Sequence, residues 1–433
     1  MRSGLPQLRG PVVAGAAGKA AEAVTLILLA TLVPRLLGPA DYGRFSVALT
    51  VVALGSVALT LGGATLLARF VPAADPAERV ATAYVLTRRL VRNRTAILAG
   101  LIVLGLLLVL LDPARFPPLP TALVLLALGL NVLTTLVLQA DLGLGRAGPW
   151  CARYPLQNGV LIAAVFALHP VAGLTGAVVA IVLAGVAGGA LGAVAAAPRL
   201  RDGLPRTREL PDGALRFGWL QASGGALTQL AQRGGVIAVA LLAGSAAQTG
   251  FAALAIGMSL AATYAVAQLF TVALPVLARS DGADGWSAAA LRRLAGLLVT
   301  ALLPLMIISV LLVEPLLPLA FGAPFAGAAA AFGPALAAVA LAPVNALAVQ
   351  AAALRLRPDV TLHAALVGAA GFLLLAIVLV PDGGAAGATT AALAAAAVTA
   401  ATSIRLLPGA VGGPLAVASF GGATAVWLLG VLA

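Results

Sequence analysis

Arg35-Leu36-Leu37-Gly38-Pro39-Ala40-Asp41-Tyr42-Gly43-Arg44 is a short polar turn set between two long apolar runs. A Gly-Pro pair punctuates helices, so the stretch reads as an exoplasmic hairpin joining two membrane helices. A weaker copy, Leu242-Ala-Gly-Ser-Ala-Ala-Gln-Thr-Gly-Phe251, returns about two hundred residues later, again between apolar runs and again followed by a small, apolar helix. The repeat predicts two similar halves.

Working outward, the chain is 62% hydrophobic and 9% charged, and its apolar runs repeatedly exceed the roughly 18–20 residues that span a bilayer. Runs such as 96–111 and 364–380 are apolar on every face, whereas a membrane β-barrel would alternate apolar and polar over segments of about ten residues. The fold class expected is therefore an all-α polytopic membrane protein. The net charge of +12 would suggest nucleic acid in a soluble protein. Here nearly all of it lies in alternate loops, so no nucleic-acid partner is expected. Cys151 is the only cysteine, and His169 and His363 are far apart, so neither a disulfide nor a metal site is expected. Gly15-Ala-Ala-Gly18-Lys19-Ala20 superficially resembles a phosphate-binding loop, but it lacks the first glycine and the Ser or Thr and falls inside a membrane helix. No ATP site and no cofactor are expected.

Polar breaks place helices at about 12–35, 43–69, 90–111, 119–141, 148–168 and 171–196, then at about 216–243, 249–278, 289–313, 327–353, 360–380 and 384–407, with a thirteenth at about 414–432. The domains read as an N-terminal six-helix lobe (1–197), a basic cytoplasmic linker (198–215), a C-terminal six-helix lobe (216–408) and an extra C-terminal helix (409–433). The arginines test orientation. Arg88, Arg89, Arg92 and Arg94, Arg146 and Arg153, and Arg199, Arg201, Arg206 and Arg208 all fall on one side, while the other side holds Arg35, Arg44 and Arg115. This puts the N-terminus in the cytoplasm. An even number of helices per half gives both halves the same orientation, related by a pseudo-two-fold axis along the membrane normal. Residues 75–94 read as a basic amphipathic stretch on anionic headgroups or as a solvated topology signal. The outer loops are short and lack clusters of His, Asp or Glu, so no enzyme is expected.

Ionisable residues inside membrane helices ask for a partner or a cavity, since each costs about 2.5–3.5 kcal/mol on insertion scales. Lys19 and Glu22, three apart in the first helix, form either a self-neutralising pair or part of a cavity. In the seventh helix Gln221, Thr228 and Gln232 share a stripe, with Gln229 and Arg233 on its flank. Glutamines in such a row serve either as interhelical hydrogen bonds or as a cavity wall. Arg233 has no acidic residue within a turn, and a guanidinium is a good bidentate ligand for phosphate, so the substrate-binding reading gains.

The run Pro34 to Gly43, the helix ending Leu67-Ala-Arg-Phe-Val-Pro72 and the arginine-rich segment after it resemble bacterial polysaccharide exporters. These are the O-antigen-type flippases of the multidrug/oligosaccharidyl-lipid/polysaccharide exporter superfamily. The resemblance implies two six-helix lobes around a central cavity, alternately open to either side of the cytoplasmic (inner) membrane. It implies passage of an undecaprenyl-diphosphate-linked oligosaccharide to the outer leaflet, with Lys19 and Arg233 as the basic residues facing the diphosphate. Membrane lipids are expected partners, and a polysaccharide polymerase or glycosyltransferases would be companions in such a role. An inside-negative potential, worth about 2.3 kcal/mol per charge per 100 mV, favours outward movement of an anion. Two alternatives stand beside this reading: a cation-coupled multidrug exporter of the same fold, with Glu22 as the coupling residue, and a non-transporting scaffold for envelope synthesis.

Overall fold

The computed structural model describes residues 5–60, 62–113, 116–196, 214–279, 284–355 and 357–432. Of the expected linker, 198–215, only the last two residues fall among them. Every regular element described is helical: α1 (Leu5–Thr60), α2 (Gly63–Ala73), α3 (Arg79–Leu111), α4 (Pro118–Gly143), α5 (Ala147–Ala195), α6 (Ala214–Leu242), α7 (Ala246–Arg279), α8 (Asp284–Phe321), a 3-10 turn (Ala323–Ala328), α9 (Ala329–Ala340), α10 (Ala342–Leu354), α11 (Pro358–Leu406) and α12 (Gly413–Leu432).

Helices α5 and α11 have 49 residues each. A straight helix of that length would run roughly 73 Å, more than twice the hydrocarbon core of a bilayer. Both instead turn back at one glycine of positive φ, Gly173 (55°) and Gly384 (49°), a conformation open to glycine at no steric cost. The return leg then packs on the outgoing one. A Cβ on Gly176 would lie 2.3 Å from the Leu168 carbonyl oxygen, and one on Gly387 would lie 2.2 Å from that of Leu379. The two turns share a sequence, Pro170-x-x-Gly173-x-x-Gly176 and Pro381-x-x-Gly384-x-x-Gly387. Helix α1 breaks in the same way at Gly38 (φ 69°). Among the described residues ten helical stretches are long and apolar enough to cross a membrane; with α1, α5 and α11 counted as double, they match the expected set of thirteen passes. Exposed side chains such as Leu110, Leu111, Leu374 and Val378 give the apolar surface that acyl chains require.

Contacts divide the chain into two compact units. Unit 1 is Met1–Val33 with Val51–Ser223, and unit 2 is Pro34–Thr50 with Gly224–Ala433. Within unit 1, α4 packs on both legs of α5 and on α2 and α3. Helix α3 begins at Arg79, well before the expected start near 90. Thr82, Ala83, Leu86, Thr87 and Leu90 are buried on one face while Arg88, Arg89 and Arg92 stay exposed, so the basic stretch is the amphipathic first half of a continuous helix. Within unit 2, the two copies of the opening turn meet. A Cβ on Gly43 would lie 2.2 Å from the Ala246 carbonyl oxygen, and one on Gly250 would lie 2.0 Å from that of Pro39. Only glycine permits so close an approach of two helix starts. Beside them Phe325, fully buried, meets the rings of Tyr42, Phe251 and Phe321 at 6.1–6.2 Å. Helix α12 closes the unit by a backbone-to-backbone contact between Gly430 and Gly333 of α9.

Candidate functional site

Unit 2 contains a cavity of about 280 Å³ lined from α6, α7, α9, α10 and α11. Its polar lining consists of amides and hydroxyls, including Thr228, Gln229 and Gln232 of α6, Thr263 and Tyr264 of α7, Asn345 and Gln350 of α10, and Thr389 and Thr399 of α11. The apolar remainder is largely alanine, which leaves the space between the helices open. Among the described residues, no ionisable group other than the Tyr264 phenol lines it.

Arg233 stands one turn along α6 from Gln229. Its Nε donates to Gln229 Oε1 (2.9 Å) and its Nη2 to Tyr264 Oη (3.3 Å), and the guanidinium lies 5.7 Å from the Tyr264 ring centroid. Gln229 Nε2 donates to the same phenol oxygen at 2.8 Å. The two groups that hold Arg233 therefore also form part of the cavity wall. Both are neutral, and among the described residues no carboxylate pairs with this half-buried cation. Four of the residues expected from sequence, Thr228, Gln229, Gln232 and Arg233, are thus brought together. The side chains of Gln221 on α6 and Lys19 on α1 lie outside the described residues. Glu22 sits half-buried on the first leg of α1, in the electrostatic field of Arg153.

Tyr264 was not among the expected residues. Its signal was available, because Gln268, a polar residue inside the same apolar helix, is one turn further along.

Arg153 corrects the sequence reading. Counted there as a loop charge beside Arg146, it belongs to the second turn of α5 and is 1% exposed. Its Nε donates to Gln157 Oε1 (3.0 Å), its Nη2 to the side-chain and main-chain oxygens of Asn131, and its guanidinium lies over the rings of Trp150 (5.5 Å) and Tyr154 (4.9 Å). The bonds continue outward. Asn131 Nδ2 donates to Ser56 Oγ (2.9 Å), and Gln157 Nε2 donates to the Ala184 carbonyl (3.3 Å) on the return leg of α5. Asn158 Nδ2 donates to Thr25 Oγ1 (3.2 Å). Thr25 and Ser56 would be roughly 46 Å apart on a straight α1, so their meeting on neighbouring residues of α4 and α5 reflects the turn at Gly38. This network ties α1, α4 and both legs of α5 together within unit 1.

Residues 32–330 match the model of a family described as polysaccharide biosynthesis protein. A comparison with curated proteins finds no match. Among solved structures, the lipid II flippase MurJ in its inward closed conformation is similar with a TM-score of 0.70 at 10% identity, over 97% of this chain and 91% of that one. A mutant of the Vibrio cholerae MATE transporter VcmN gives 0.58 at 16% identity, over 99% and 95%. The eukaryotic MATE transporter AtDTX14 gives 0.59 at 16%, over 95% and 96%. At these identities the likeness is one of fold.

Proposed function

The chain belongs to the polysaccharide biosynthesis protein family, and from that premise we propose that it moves an undecaprenyl-diphosphate-linked oligosaccharide from the inner to the outer leaflet of the bacterial cytoplasmic membrane by alternating access. The observation that carries this reading is Arg233, a cation inside a membrane helix whose described partners are a neutral amide and a phenol beside a polar cavity. A guanidinium retains donors for a second ligand after making two such bonds, and a diphosphate supplies the charge that its protein partners lack. Thr228, Gln229 and Gln232 form the polar wall beside Arg233, and Lys19 and Gln221 remain candidates for contact with the substrate on the sequence alone.

The arginine distribution supports a cytoplasmic N-terminus, and an inside-negative potential drives an anion outward without ATP. Enzymes that assemble or polymerise the sugar are the partners such a role calls for. A cation-coupled drug exporter would want a carboxylate in the cavity, and among the described residues none lines it. Glu22, the remaining coupling candidate, belongs to unit 1, within electrostatic reach of Arg153, and is not part of that lining.

The test is flipping of a fluorescent undecaprenyl-diphosphate oligosaccharide in proteoliposomes. Arg233→Ala is expected to slow it at least tenfold and Arg233→Lys to restore part of the rate. Unaltered flipping by Arg233→Ala would remove the site. Export of organic cations with no movement of the lipid-linked sugar would remove the function.

A further inference from the structure

The cavity of unit 2 is chemically unlike a place for an ion. A bare cation would meet no carboxylate there and would feel the guanidinium of Arg233 behind Gln229 and Tyr264. An anion would find no cation in the lining among the described residues, Arg233 standing behind the wall. What the wall does offer is a ring of groups that accept as well as donate, such as Gln232, Thr263 and Thr389, spaced by alanine methyls and one aromatic face. Asn345 adds a directed feature. Its Nδ2 is committed to the Ala396 carbonyl (3.3 Å), whereas its Oδ1 is buried without any partner. A buried acceptor in that condition is costly until a donor reaches it. The volume of about 280 Å³ equals roughly nine waters and lies at the small end of ligand pockets, too little for a polyprenyl chain. An uncharged ring bearing hydroxyls on its edge and C–H groups on its faces matches all of these features.

We propose that this cavity is a subsite for a single uncharged sugar residue of the lipid-linked substrate, with Asn345 Oδ1 accepting from a sugar hydroxyl or amide N–H. The inference rests on the proposed function and divides its site in two: the diphosphate is met by Arg233, and the sugar enters the helix bundle of unit 2 itself. Selection among glycans then resides in the neutral wall, and retention of any polyprenyl diphosphate resides in the cation.

The experiment compares two probes on the full-length protein in lipid nanodiscs: polyprenyl diphosphate, and the same lipid carrying one N-acetylhexosamine. The wild type is expected to bind the glycosylated probe at least tenfold more tightly. Ala392→Leu, which fills the cavity from α11, is expected to abolish that preference while leaving the affinity for the bare lipid unaltered. Asn345→Leu, of similar volume, is expected to remove most of it. Equal wild-type affinity for the two probes, with binding of both lost in Arg233→Ala, would overturn the sugar subsite and leave the proposed function standing. A cavity-filling variant that keeps the full preference would overturn the subsite in the same way. Failure of the wild type to bind either probe would overturn both.

Discussion

Each unit holds a guanidinium inside a membrane helix, and the two are held in opposite ways. Arg153 in unit 1 is sealed in, bonded to oxygens from Asn131 and Gln157, roofed by Trp150 and Tyr154, and joined through them to Ser56 and Ala184. Arg233 in unit 2 is half-buried and has one amide and one phenol for partners, both of which line a cavity. A charge sealed among packed helices, its Nε and Nη2 bonded and its Nη1 buried where neither solvent nor ligand reaches it, is tied to the arrangement of those helices; one that is half-exposed and keeps donors free behind a cavity wall is available to a ligand. The same residue type thus serves structure in one unit and recognition in the other.

The largest effect that would break this contrast is Arg153→Ala. Deleting the guanidinium leaves the oxygens of Asn131 and Gln157 as acceptors without their donor, at about 1–3 kcal/mol each where water does not reach them, and removes the packing under Trp150 and Tyr154. The expected outcome is a large loss of folded protein in detergent, seen in thermal unfolding and in expression, with transport lost alongside stability. A folded Arg153→Ala with normal stability and abolished transport would move Arg153 into the binding machinery.

Arg233→Ala is expected to do the reverse. Its partners are partly exposed and lose bonds worth about 1 kcal/mol in all, while lipid-diphosphate flipping falls at least tenfold, equivalent to about 1.4 kcal/mol of interaction with the moving substrate. Thermal unfolding beside flipping rate for the two arginine variants measures the contrast directly.

This difference also marks how far the sequence could be read. The turn at Gly38 and its copy at Gly244 punctuate apolar runs, and such punctuation together with helix length is enough for thirteen passes. Arg233 stood out because the helix around it holds no acid. Arg153 did not, because Gly145-Arg-Ala-Gly-Pro149 precedes it and reads as loop, so the charge looked like a topology signal. Its meaning lies in Asn131 and Gln157, which reach it through helix packing that periodicity does not encode. The cavity was hidden for the same reason. Thr228 and Gln232 are legible as a stripe, and Asn345 and Gln350 as polar positions within an apolar run that could line a cavity or bond to a neighbouring helix, but only the packing of α10 and the turned-back α11 puts them on one wall with Thr389.

The roof of Arg153 gives a smaller prediction. Cation–π contacts contribute about 0.5–2 kcal/mol depending on desolvation, so Trp150→Leu, which keeps apolar bulk, is expected to lower stability by about 1 kcal/mol. In an Arg153→Lys background, where the charge remains but the planar group is gone, the same change is expected to cost less. A double-mutant cycle on thermal stability checks it, and a coupling near zero would show that Trp150 packs beside Arg153 without holding it.

The smallest effect tests whether Tyr264 belongs to the cation or to the ligand. Tyr264→Phe keeps the ring 5.7 Å from the guanidinium carbon and removes the phenol oxygen that accepts from Gln229 and Arg233. The bond from Arg233 Nη2 is long, at 3.3 Å, and the cavity supplies space for water to replace it, so stability is expected to fall by less than about 1 kcal/mol. Arg233 keeps its anchor at Gln229 but swings more freely, and affinity for bare polyprenyl diphosphate is expected to drop only two- to threefold. If the variant instead loses as much affinity as Arg233→Ala, the phenol touches the diphosphate itself, and recognition in unit 2 rests on a pair of groups, in contrast to the enclosed guanidinium of Arg153 in unit 1.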